Sequence, residues 1–412
     1  MMSGQPLFPQ PVRPLADLPE QSGRAGTLCI AASLTNLREI ERAWGSRPAL
    51  AVRHVVLERA RELCRSVSGI AVLSGDVILF VFDSPLGGLP PAASDLAQIG
   101  LLLDRILCDL ADQPVKIAGD AVFVTLSLSV VEQAEGAFDA AAPGADAHVA
   151  RPGREEEHWR ERFLVDMKAA ENLFSAKHLD RLVFDAESVR HLGSAGIVRY
   201  YKVVPFWTCH GVRQQVAGMV APLARLGLVR RLDRWAVEAT LCALHANPGL
   251  SFGCNVTSHS ASLDAWWTLI IAQLGEQRAV AQRLVIELSD VPPATDLVTV
   301  GAFVRRLQAL GCQVALDNVG GGRSSVEALA SLGADIVKIG AGCLREARVS
   351  DRAADFLRNL VALARGTGAD VVITGAEDAA DVEIAEFVGA THIQGPCFKD
   401  QVPEILNINC PN

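Results

Sequence analysis

Ala315-Leu316-Asp317-Asn318-Val319-Gly320-Gly321-Gly322-Arg323-Ser324-Ser325 is the stretch whose reading decides the fold. An apolar run, Val314 to Leu316, ends on two polar residues and then on a glycine run. The spacing predicts a helix over Ser325 to Leu332 and a second strand over Ile336 to Ile339. The stretch is therefore a strand–helix–strand unit. Outward from it the same alternation repeats. Short, often β-branched runs stand at Leu182 to Phe184, Ile197 to Val204, Leu250 to Val256, Leu284 to Leu288, Val371 to Ile373 and His392 to Ile393. Helical patterns intervene at Leu232 to His245, Leu297 to Leu310 and Arg352 to Gly366. So many β-α repeats predict a mostly parallel sheet closed into a barrel, with its chemistry at the C-terminal ends of the strands. The residues there are Asn255, Glu287, Asp317, Asn318, Lys338, Thr374, Glu377 and Gln394.

The first half reads differently. A strand at Thr27 to Ser33 is followed by a helix through Trp44 and another over Val52 to Ser66. Strands flank a Ser74-Gly75-Asp76 turn, and a helix over Ala97 to Leu110 and a strand over Ala121 to Val131 complete the order βααββαβ. The fold class is α/β: an α+β domain at 27–135, a linker at 136–158, and a TIM-like barrel at 159–406 whose first helix, 159–176, joins the two. Residues 1–26 are Pro-rich and polar and are expected to be a disordered leader, without the layout of a secretory signal.

Composition narrows the function. A formal charge of −9 argues against a general nucleic-acid binder, which needs surplus Lys and Arg. No apolar run reaches the length of a spanning helix, so no membrane insertion is expected and the chain reads as cytoplasmic. The ten cysteines show no C-x-x-C spacing, which excludes a zinc knuckle or dithiol motif, and most read as small core residues in a reducing compartment.

The 315–325 stretch resembles the A-L-D-D-F-G-T-G-Y-S-S motif of the EAL family of cyclic-di-GMP phosphodiesterases. Ala334 to Ile339 resembles its V-D-x-L-K-I-D, Leu226 to Trp235 its G-L-I…L-x-R-W helix, Ile373 to Glu377 its A-E-G-V-E, and Gly389 to Phe398 its G-C-D-Y-V-Q-G-Y-L-F. The first half is similar in layout to the GGDEF fold of diguanylate cyclases, with Ser74, Gly75, Asp76 and Val77 on the signature hairpin and Leu126 to Val130 like the closing V-S-I-G-V.

The resemblance implies metal-dependent phosphodiester chemistry, and the residues depart from it. Lys202-Val203-Val204-Pro205-Phe206-Trp207 occupies the place of E-A-L-L-R-W, so a carboxylate ligand has become an ammonium. Phe206 replaces the phosphate-binding Arg, Asn318 the second Asp, Thr374 the Glu of A-E-G, and Gly340 the Asp after K-I. Glu187-Ser188 stands for Gln-Pro. In the first half Ser33 and Thr35 stand where the metal-binding Asp belongs, Val77 replaces the signature Glu, and Ser74 breaks the glycine pair. Of the R-x-x-D site, Arg65 is kept and Ser68 stands where the Asp belongs.

No catalytic residue, metal ligand or cofactor is therefore expected; the barrel and hairpin residues read as vestigial. The resemblance implies a non-enzymatic regulator that binds another protein, with motility, adhesion or biofilm control as the family's settings. The alternatives are a non-catalytic cyclic-di-GMP receptor and a residual phosphodiesterase. A homodimer is a further candidate assembly. Lys202 is expected where the metal would lie, paired with Glu287 or Asp317 and sharing that duty with Lys338.

Overall fold

In the computed structural model the described residues are 27–67, 69–83, 93–117, 119–131, 156–178, 182–193, 196–209, 211–289, 291, 296–321 and 326–401. The expected leader, most of the linker, Gly322 to Ser325 of the glycine run and the last residues of the barrel lie outside them. The chain divides into two compact units after Met167.

The first unit runs β1 (Thr27–Leu34), α1 (Leu37–Trp44), α2 (Ser46–Val67), β2 (Gly69–Ser74), β3 (Val77–Asp83), α3 (Ala93–Leu107), β4 (Val115–Ile117), β5 (Asp120–Val122), β6 (Leu126–Val131) and α4 (Glu156–His178), which crosses the division. Four strands form an antiparallel sheet in the order β2-β3-β1-β6. On α2, Val52, Val56, Ala60 and Leu63 recur at helical spacing and are all buried, which is what seats the helix on the core. Gly75 takes φ +59° in the β2–β3 turn, a conformation that favours glycine. The structure corrects the expected order in one place. Ala121 to Val131 is not one strand: β5 turns back onto β4 as a two-stranded hairpin, and β6 joins the main sheet separately. Apolar residues continue through Phe123 and Val124, both buried, so hydropathy alone carried no break there.

The second unit holds β7 (Leu182–His191), β8 (Val198–Cys209), β9 (Val212–Gln215), α5 (Val220–Arg225), α6 (Val229–Ala246), β10 (Phe252–Thr257), α7 (Ala265–Glu276), α8 (Arg278–Ala281), β11 (Leu284–Ser289), α9 (Leu297–Leu310), β12 (Gln313–Val319), α10 (Val326–Ser331), β13 (Ile336–Ile339), α11 (Ala341–Ala347), α12 (Asp351–Gly366), β14 (Asp370–Thr374), α13 (Ala379–Phe387) and β15 (His392–Gln394). Strands β10 to β15 follow one another, β15 pairs with β7, β7 with β8, and β8 with β10, which closes the barrel. β7 is antiparallel to both neighbours; the other barrel pairs are parallel. β9 lies outside the barrel, paired with β8. Several helices start on a side-chain cap, with Asp264, Asp296, Ser350 and Asp378 accepting from first-turn amides.

Because strand residues alternate, the barrel interior is built in layers. The middle layer is apolar: Val189, Val285, Ala315, Ile336 and Val372, with the Tyr200 ring among them. Gly253 on β10 makes room for that ring, since a Cβ there would lie 2.9 Å from Tyr200 Cε2. Two residues further along β8, β11, β12, β13 and β14 stand Lys202, Glu287, Asp317, Lys338 and Thr374. Each thus stands one inward-facing position beyond the apolar layer on its strand. Among the described residues no helix is long and apolar enough to cross a membrane.

Candidate functional site at the barrel mouth

Glu287 and Lys338 are fully buried, and Lys202 and Asp317 nearly so. Lys202 Nζ lies 2.7 Å from Glu287 Oε2 and 3.3 Å from Asp317 Oδ2. Lys338 Nζ lies 2.5 Å from Glu287 Oε1, and the Tyr200 hydroxyl donates to that same oxygen at 2.7 Å. Two ammonium groups and two carboxylates therefore balance one another in the barrel axis.

The electrostatics follow from burial and charge together. Burial would lower the Lys202 ammonium, but Asp317 and Glu287 override it and hold the pKa above the ordinary lysine value. Burial would raise Glu287 and Asp317; Lys202, and then Lys338, reverse this and keep both below the usual carboxylate range. Lys338 is lowered by burial despite Glu287 beside it. Tyr200 is pushed well up by burial and by Glu287, so it stays a neutral donor.

The structure brings Lys202, Glu287, Asp317 and Lys338 together. Asn255 stands beside Glu287 in the β10–β11 register. Thr374 turns to donate to the Ile339 carbonyl at 2.9 Å, and Glu377 is exposed with its amide held by Asp381. Gln394 donates to Glu187 at 2.7 Å, and Glu187 faces Lys202 across the β7–β8 pair. Asn318 takes φ +59°, and its amide fills the space a side chain at Gly340 would need. Tyr200 escaped the sequence reading. The signal was its place two residues before Lys202, on the same face of the strand.

The family's metal finds no vacant donor set here. Both oxygens of Glu287 already meet ammonium groups, and one oxygen of Asp317 does. Among the described residues no three His, Cys, Asp or Glu side chains converge on a position fit for an ion.

In the first unit, Ser33 sits opposite Val77 in the β1–β3 register. Asp76 forms an ion pair with Arg53 of α2. The Thr35 and Thr125 hydroxyls bond each other at 2.6 Å. Among the thiols, Cys29, Cys64, Cys254, Cys312 and Cys343 are free and buried, while Cys242 is disulfide-bonded, which departs from the expected reduced set.

Known proteins resemble this chain in sequence or in fold. An uncharacterized protein of Mycobacterium tuberculosis is 24% identical over 93% of this chain and 63% of its own length. The chain thus spans less than two thirds of the first curated relatives it matches. The cyclic di-GMP phosphodiesterase PdeF of Escherichia coli is 25% identical over 44% of this chain and 25% of that protein. An EAL domain protein of Listeria monocytogenes superposes with TM-score 0.50 at 20% identity, covering 56% of this chain and 92% of that one. Vibrio cholerae LapD, as an S helix-GGDEF-EAL fragment, superposes with TM-score 0.51 at 14% identity over 91% of this chain and 89% of its own. At these identities the likeness is one of fold. Residues 170–401 match the family model of the EAL domain, more than half of the chain, and the chain belongs to the EAL domain family.

Proposed function

We propose that this chain is a non-catalytic regulator of the GGDEF–EAL type, acting through protein–protein contact in cyclic-di-GMP-linked bacterial signalling. The observation that carries the reading is Lys202 bridging Glu287 and Asp317. Hydrolysis of a phosphodiester by clustered carboxylates needs their charge to hold cations that activate water. Here that charge is neutralised by the chain's own ammonium groups, and a divalent ion entering the mouth would be repelled by both lysines. The name of the E. coli relative ties the matched barrel to cyclic di-GMP.

The GGDEF-like reading of the first unit is supported by its β2-β3-β1-β6 sheet and by the fold likeness to the LapD fragment. Its hairpin is as poorly equipped as the barrel. Asp76 is committed to Arg53, and Val77 brings no carboxylate.

Calorimetric titration of the whole chain with cyclic di-GMP, with and without magnesium, beside a hydrolysis assay, tests the reading. No turnover is expected. Tight binding without turnover would favour the receptor reading instead. Turnover lost in Glu287→Ala would overturn both.

A further inference from the structure

Strand β15 is three residues long and runs from the base of the barrel to its mouth. At the base its first residue, His392, pairs in the ladder with His191, the last residue of β7. At the other end Gln394 pairs with Val189 and donates to Glu187 at 2.7 Å. The two imidazole rings lie 4.0 Å apart between centroids, with their Nε2 atoms 3.1 Å apart. His392 is fully buried, and His191 is exposed.

The surrounding groups fix where the hydrogen of His392 sits. Arg199 of β8 brings Nη1 to 3.4 Å from His392 Nε2, and a guanidinium has only hydrogens to offer. Nε2 therefore holds a lone pair, and Nδ1 carries the hydrogen, which it donates to the Thr391 hydroxyl 2.8 Å away. That hydroxyl can accept it. Its own proton goes to the Val371 carbonyl at 2.9 Å, and it also accepts from the Val371 amide at 2.8 Å. His191 then turns Nε2–H toward the same lone pair, so one buried nitrogen accepts from two donors. The acid facing this group is Asp370 of β14, already paired with Arg199. Gln313 of β12 stands 3.5 Å from the guanidinium as a neutral acceptor.

We propose that the histidine pair is an acid-released latch: a proton taken up on His392 Nε2 opens the β7–β15 seam at the base of the barrel and frees the Gln394–Glu187 contact at its mouth. The added hydrogen faces the hydrogens of Arg199 and His191, so both bonds to Nε2 are lost at once. The added charge stands 3.4 Å from Arg199 Nη1, away from water, where like charges repel most strongly. Opening the seam brings the ring into water and separates the charges. Three residue pairs hold β15 to β7. Glu187 of β7 faces Lys202 across the next ladder, so the same opening moves a wall of the ion cluster. Burial, and then Arg199, hold the folded pKa of His392 down to about 4, against an ordinary 6.5. Each pH unit below the ordinary value favours the open seam about tenfold, until the closed form titrates as well, which gives about 30-fold at about pH 5.

Amide hydrogen exchange of the whole chain, compared between neutral pH and about pH 5 and corrected for the intrinsic rate at each, tests the latch. Protection of Ile393 and Gln394 in β15 should fall about 30-fold more than that of β11 and β12. In His392→Gln, which keeps a neutral hydrogen-bonding side chain, this extra fall should disappear. Imidazole nitrogen NMR of the parent chain is a second measurement that needs no variant. It should show His392 at neutral pH with its hydrogen on Nδ1 and none on Nε2. A hydrogen on Nε2 of the neutral ring, an extra fall that persists in His392→Gln, or a loss of protection spread evenly over the barrel strands would overturn the proposal.

Discussion

Lys202 Nζ sits 2.7 Å from Glu287 Oε2, a fully buried carboxylate whose other oxygen is taken by Lys338 and Tyr200. Lys202 also reaches Asp317, so one ammonium joins β8 to β11 and β12. Removing it takes away the direct ion pair of Asp317, with Lys338 still acting on it from further off, and leaves Glu287 paired with Lys338 alone. Lys202→Ala should cost on the order of 3–5 kcal/mol, the range for breaking a buried pair from one side. Chemical denaturation with an unchanged m-value checks this. A loss below about 1 kcal/mol would mean that water already reaches the pair.

Lys202→Glu should partly restore magnesium affinity, because it returns a carboxylate to the level of Glu287 and Asp317 and removes a cation. It should not restore hydrolysis, since Asn318, Thr374 and Gly340 stay as they are. Magnesium should raise the melting temperature of the variant and not of the parent. Cyclic-di-GMP turnover by the single variant would contradict the proposed function.

The mouth also predicts an acid limb of the stability curve. The folded-state pKa values of Glu287 and Asp317 lie below their ordinary values of 4.5 and 3.8. Their contribution is therefore complete above about pH 4.5 and is lost as pH falls through the lower folded values. Asp317→Asn should flatten this limb, at a cost in stability at neutral pH. Denaturation midpoints measured between pH 7 and 3 give the comparison.

Gly340 and Asn318 should be energetically coupled. A Cβ at 340 would collide with the Asn318 amide, which is held there by a left-handed backbone. Gly340→Ala should destabilise by about 1–3 kcal/mol, the usual cost of overpacking. Asn318→Gly removes the obstructing side chain and relieves the backbone at once. The double variant should recover most of the loss, which a double-mutant cycle measures; simple additivity would show that the two positions do not meet.

His392 predicts a second, separate pH dependence. Its folded pKa, about 4, lies below the ordinary 6.5 because of burial, with Arg199 and His191 adding to the effect. Between these values the unfolded chain binds the extra proton, so stability is full above pH 6.5 and falls as pH drops toward 4. His392→Gln should remove that slope, and a slope unchanged in the variant would assign it elsewhere.

What the sequence by itself determined was the alternation of strands and helices, the barrel, and the polar residues set at strand ends. Short apolar runs, glycine punctuation and residue type at each strand end are local quantities. That Lys202 stands in the place of an acid came from the resemblance to the EAL family and not from these local quantities. Only the tertiary structure decided which groups meet. A strand's pattern says that one face is buried, not which strand lies beside it or in which direction. So the antiparallel course of β7, the hairpin of β4 and β5 inside an unbroken apolar run, and the place of Tyr200 beneath Glu287 had no local sign that identified them. Lys338 and Glu287 are 51 positions apart, and His191 and His392 are 201 apart. Their contacts depend on ladder register, where a shift of one residue would turn each side chain to the opposite face.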